Sequence, residues 1–145
     1  MAITSAICSS FKQQLLQGKH SFESSGGHTF KIALFTSSAS LGASTTAYST
    51  SNEISNTSGS AYSAGGATLT SVTPTLSSST AVCDFADVSY TSASFTANGA
   101  LIYNDTQSDK AVAVIAFGSD KTVTSGTFTI QFPTADATNA IIRLA

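Results

Sequence analysis

Acid–base, nucleophilic or metal chemistry in this chain would have to come from two histidines, two cysteines and eight carboxylates. Nucleophilic catalysis needs a base beside a Ser, Cys or Thr. Only His20 and His28 are available as imidazole bases, and no G-x-S-x-G elbow occurs. Zinc is usually held by Cys and His in close pairs, whereas Cys8 and Cys83 stand apart from both histidines and from each other. Asn104, Asp105 and Asp109 fall in one polar turn and Asp120 in the next. Oxygen ligands on loops suit calcium, but Asn and Asp are also the residues tight turns select for their own backbone bonding, and that is the reading taken. Asp84 and Asp87 imitate a glycosidase pair, with nothing to place them across a cleft. Gly26-Gly27 and Gly65-Gly66 are turn material without a phosphate-binding pattern around them. We therefore expect no enzyme, and no catalytic residue, metal ligand or cofactor.

The elements that would carry these residues are mostly strands. Between Tyr90 and Phe132 lie three apolar runs separated by two polar turns. Phe128, Ile130 and Phe132 alternate with Thr127, Thr129 and Gln131, the period of a strand with one buried face. Phe95, Ala97, Leu101 and Tyr103 share one parity, with Gly99 marking a bulge or a close backbone approach. Ala111 to Phe117 is apolar on both parities, as in a strand covered on both sides. The stretch 90–132 is expected as a three-stranded antiparallel meander. Further strands are expected over 28–36, over 67–73 with Pro74 as the stop, over 80–85 and 87–90, and over 140–144, while 133–139 reads as a turn.

Residues 5–17 read as a helix, with Thr4 or Ser5 as N-cap and Gly18 as terminator. Ile3, Ile7, Phe11 and Leu15 recur every fourth residue and form its apolar face, which either covers this chain's own core or docks on a neighbouring subunit. Residues 37–66 show no sustained period, beyond a short helical turn expected near 49–54. That is long for a loop in a compact domain. Tyr48, Ile54 and Tyr62 are its anchors, either to the body or to a partner. Together these readings give a mainly β chain, an antiparallel β-sandwich or small barrel with one N-terminal α-helix, in a single domain spanning 1–145.

Charged residues make up 10% of the chain against 41% hydrophobic, and the net charge is −2. Typical soluble domains carry about 25% charge. No apolar run approaches the ~20 residues of a membrane span, and six dispersed Lys and Arg form no stripe for nucleic acid. The N-terminus lacks the basic and apolar regions of a secretory signal, and two cysteines are no disulfide framework. Both thiols are expected buried, in a protein made in a reducing cytoplasm. A hydroxyl-covered, charge-poor surface is cheap to desolvate, as interface cores are. It suits either a subunit of a large assembly or an extracellular β-domain.

Several segments carry a family likeness: YSAGGATLTSVTP at 62–74, DFADVSY at 84–90, FTANGALIYN at 95–104, AVAVIAFGSDKTVTSGTFTIQFP at 111–133 and the closing AIIRLA. In this order they resemble small virion structural proteins of tailed bacteriophages, over most of the chain. The motifs are structural rather than catalytic. The resemblance implies a capsid decoration or cement protein on the virion surface, with the major capsid protein and its own copies, as a homotrimer, for partners, and neither nucleic acid nor membrane. A tail or fibre component is the nearest alternative. A carbohydrate- or receptor-binding sandwich is another, with Tyr48, Tyr62, Tyr90 and Tyr103 in place of the tryptophans this chain lacks.

Overall fold

The computed structural model describes residues 2–145. The chain is mainly β, with two antiparallel sheets and one short helix. In order, the elements are β1 (Ala6–Ile7), α1 (Ser9–Leu16), β2 (Phe30–Phe35), β3 (Ala67–Thr68), β4 (Ser71–Ser77), β5 (Thr80–Phe85), β6 (Val88–Asn104), β7 (Lys110–Ile130) and β8 (Ile142–Leu144). One sheet runs β1-β7-β6-β2-β3 and the other β4-β5-β8.

The expected meander is a single long hairpin instead. β6 and β7 pair from Asn104–Lys110 at the turn to Val88–Ile130 at the far end. The polar residues after Phe117, which resemble a second reverse turn in sequence, are accommodated as a bulge. The register passes from Gly99–Ala116 to Ala97–Lys121, so Phe117 to Asp120 oppose Asn98 alone. Asn98 closes the gap by donating to Asp120 Oδ1 at 2.9 Å. A turn and a bulge favour the same residue types, so composition does not separate them. The third strand of the central sheet is β2, which pairs with β6 from Phe30–Asn104 to Phe35–Gly99.

Gly99 is both things its sequence context suggested. It sits at that register shift, and a Cβ there would fall 2.7 Å from Ile3 Cγ2 and 2.8 Å from the Ile115 carbonyl. The Ile3 side chain packs into the space that a Cβ at Gly99 would occupy.

The helix is shorter than 5–17. Ala6 and Ile7 pair with Val114 and Ala113, and Cys8 N–H donates to Val112 O at 3.0 Å. The outer edge of β7 needs backbone partners, and this outweighs helical periodicity. Cys8, not Thr4 or Ser5, is the N-cap, with no side-chain capping bond. Gly18 does close the helix, its N–H on Leu15 O at 3.1 Å. Pro74 does not end a strand. It lies inside β4, an edge strand, where the register shifts between Val72 and Thr75, one of the few places a sheet tolerates a residue without an N–H. The 28–36 and 140–144 strands are present in trimmed form as β2 and β8, and no regular element occurs over 37–66, where residues 49–54 hold a turn rather than helix.

One core joins both sheets and the helix. β2 is buried on both faces at Phe30 and Ile32 to Phe35. Phe11 of α1, Phe22, Phe30 and Phe85 of β5 form an aromatic cluster, with Phe22 and Phe30 stacked at 4.4 Å. Each such ring contributes about 2–3 kcal/mol by leaving water.

Candidate interaction surface

Two side-chain clusters hold the irregular segments down, and an apolar belt lies outside them. The first cluster is in the long loop. Glu53 Oε1 accepts from Tyr62 OH at 2.6 Å and from Gly65 N–H at 2.7 Å, while Oε2 accepts from Tyr48 OH at 2.7 Å. Tyr62 OH in turn accepts from Leu34 N–H at 2.9 Å, and Tyr103 OH donates to Gly65 O at 2.6 Å. Tyr48 stacks on Tyr103 at 4.5 Å. Burial, and after it the bond to Glu53, drives the Tyr48 and Tyr62 phenols well above their ordinary range. Of the residues proposed as loop anchors, Ile54 and Tyr62 are buried and Tyr48 is half-buried against the body. The loop is thus fastened to its own domain. Glu53, which the sequence reading passed over as one polar residue among many, is its hub.

The second cluster joins both histidines to Asn104, a meeting that neither sequence position nor motif foretold. Asn104 is fully buried, and its Oδ1 accepts from Gln107 N–H at 3.2 Å. Turn chemistry is therefore what Asn104 performs at that end. Its amide nitrogen reaches His20 Nδ1 at 2.9 Å and His28 Nδ1 at 3.0 Å. His20 Nε2 meets Gln14 Oε1 at 2.9 Å. The imidazoles thus bond to amides, not to a hydroxyl or thiol. Burial, with His28 and Lys110 nearby, lowers His20 to about 4.

The remaining candidates are dispersed. Asp105 pairs with Lys31 at 3.3 Å. Asp84 accepts from Phe85 N–H at 2.8 Å and Asp87 from Phe132 N–H at 2.9 Å, so both carboxylates serve local backbone rather than a shared cleft. Among the described residues no group of three or more His, Cys, Asp or Glu is placed to hold a metal ion, and no helix is long and apolar enough to cross a membrane. Cys8 and Cys83 are free thiols, pushed up to about 11 by burial, which leaves them protonated and poorly nucleophilic at neutral pH.

The outer surface divides into two kinds. On the hairpin, hydroxyls pair across the strands: Ser89 with Thr129 at 3.0 Å and Thr96 with Thr122 at 2.8 Å, while Ser94 Oγ accepts from Ser125 N–H at 2.9 Å. Hydroxyls that already satisfy one another lose less on leaving water. Beside this ladder runs the apolar belt. It begins in a cleft of about 590 Å³ between β7 and the C-terminal segment, floored by Phe117, Phe128, Phe132 and Ile141. Ile141, Ile115 and Ile7 carry it over β1. It continues in a cleft of about 680 Å³ between α1 and β8, lined by Leu15, Leu16 and Leu144. Leu16 is 91% exposed and Leu144 57%. The charges along it are Lys121, Lys12 and Arg143.

Of the helix-face residues, Ile7, Phe11 and Leu15 come together on one wall of this belt, with Phe11 itself 1% exposed and spent on the core. Ile3 lies apart, at Gly99. The sequence reading missed Phe117, Phe128, Phe132, Ile141, Leu16 and Leu144 as surface. The alternation of Phe128 and Phe132 was visible, but it was read as a covered face. Phe128 and Phe132 are only half-buried.

No family model, no curated protein and no solved structure matches the chain.

Proposed function

We propose that the chain is a non-enzymatic virion structural protein of a tailed bacteriophage, a capsid decoration protein that stabilises the head by bridging major capsid subunits. The observation that carries this reading is the apolar belt set beside a hydroxyl-paired, charge-poor exterior. Large exposed apolar patches mark surfaces that are covered at work, and a charge-poor surround lowers the cost of covering them. A cement protein acts through such burial at many equivalent joints: each copy binds only the assembled state and stabilises it by mass action. The segments that resemble phage virion proteins include both the β7 residues and Ile141 that line the first cleft.

The alternative based on sugar stacking loses its residues. Tyr62, Tyr90 and Tyr103 are buried, and Tyr48 has one face against Tyr103. Quantitative mass spectrometry of purified particles separates the remaining readings. Hundreds of copies per particle are expected for a head site. A few to some tens would move the protein to the tail, and absence from particles would overturn the proposal.

A further inference from the structure

We propose that the His20–Asn104–His28 cluster is an acid-operated latch, which holds α1 and the segment before β2 against the β6–β7 turn and releases them when His20 takes up a proton. The geometry fixes every hydrogen. Gln107 N–H can only donate, so the atom it meets at 3.2 Å is the Asn104 oxygen and the amide nitrogen faces the imidazoles. That nitrogen has two hydrogens, and it has two acceptors: His20 Nδ1 at 2.9 Å and His28 Nδ1 at 3.0 Å. Ser21 N–H independently points at His28 Nδ1 at 3.3 Å. Both Nδ1 atoms must therefore carry lone pairs, and His20 Nε2 carries the hydrogen given to Gln14 Oε1 of α1 at 2.9 Å.

A second proton on His20 has only Nδ1 to go to, where it meets the Asn104 N–H. Nothing around the ring offers an alternative. Phe11, Phe22 and Phe30 lie at centroid distances of 4.8, 6.5 and 6.3 Å. Lys110 on β7 and His28 oppose added positive charge. Asp105, next to Asn104, is committed to Lys31 on β2. Glu23 and the protonated Cys83 thiol line the adjoining cleft, with Glu23 at its exposed rim. Three separate pieces meet at this one amide: the end of α1 through Gln14, the 18–28 segment through both rings, and the hairpin turn through Asn104. Losing the His20 acceptor frees the end of α1 and the start of the 18–28 segment from the turn, and leaves the end of that segment on the His28 bond alone.

The direction follows from linkage. His20 is held at about 4 when latched, against 6.5 when free, so the open form binds the proton first. The latch is fully closed above the free value and weakens as pH falls through the window between the two. On these values opening becomes about 20-fold more favourable at pH 5 than at pH 7.

Amide hydrogen exchange of the full chain from pH 7.5 to 4.5, corrected for intrinsic rates, tests it. The expected result is a selective loss of protection over 9–28, while 99–104 and 111–116 stay protected. His20→Asn, whose side-chain oxygen can take the place of Nδ1 without titrating, is expected to flatten this response relative to its own value at pH 7. Unchanged protection of 9–28 down to pH 4.5, equal loss throughout the chain, or an undiminished response in His20→Asn would each overturn the latch.

Discussion

Replacing Glu53 with alanine is expected to cost about 3–5 kcal/mol of folding stability, one of the largest effects of any substitution outside the aromatic core. Three donors converge on this carboxylate, from Tyr48, Tyr62 and Gly65. Bonds to a charged group contribute about 1.5–3 kcal/mol each, and a buried donor left without its acceptor costs more than the bond was worth. Tyr62 is the severe case, since the residue is only 4% exposed. The effect should be read by urea denaturation. Tyr62→Phe made in the Glu53→Ala background should cost much less than in the parent chain, because the two side chains form one unit. A loss under about 1 kcal/mol would mean that the apolar contacts of Ile54 and Tyr62 hold the loop without the carboxylate.

Gly66→Ala is expected to be comparably damaging, by about 3 kcal/mol or more, for a different reason. Gly66 has φ +81, and an added Cβ would fall on the carbonyl of Ile32, in the strand at the centre of the core. Gly59 supplies the internal control. Its φ of +86 is as unfavourable to an L side chain, yet a Cβ there has nothing within 4 Å. Gly59→Ala should therefore show the backbone cost alone, about 1 kcal/mol. If thermal or urea unfolding gives the two variants equal losses, the collision with Ile32 is relieved by movement of the loop and the close approach is not a constraint.

Much of the architecture was legible because it follows from side-chain periodicity. The parity of Phe128, Ile130 and Phe132, the doubly apolar run from Ala111 and the stop at Gly18 all have local causes, and the structure keeps them. What was not legible depends on partners distant in sequence. Residues 118–120 carry the signature of a turn, and only the pairing of Asn98 with Asp120 makes them a bulge. Ile7 fits a helical stripe, and only the open edge of β7 draws it into a strand. His20 and His28 carry no motif. Their junction at Asn104 exists because the β2–β6 register sets Phe30 opposite Asn104 and so brings the start of β2 to the hairpin turn. The surface belt was hidden for a related reason, since alternation reveals that a strand has an apolar face but not whether a second sheet reaches far enough to cover it.

On the proposed function, neighbours in the particle cover the belt along β7, β1, α1 and β8. Hydroxyl-radical footprinting of the isolated chain and of intact particles measures this directly at Phe117, Phe128, Leu16 and Leu144. These side chains should oxidise readily in the free protein and be strongly protected in the particle, while the exposed residues of the 55–59 loop react alike in both. Equal oxidation of the belt in the two states would contradict the account.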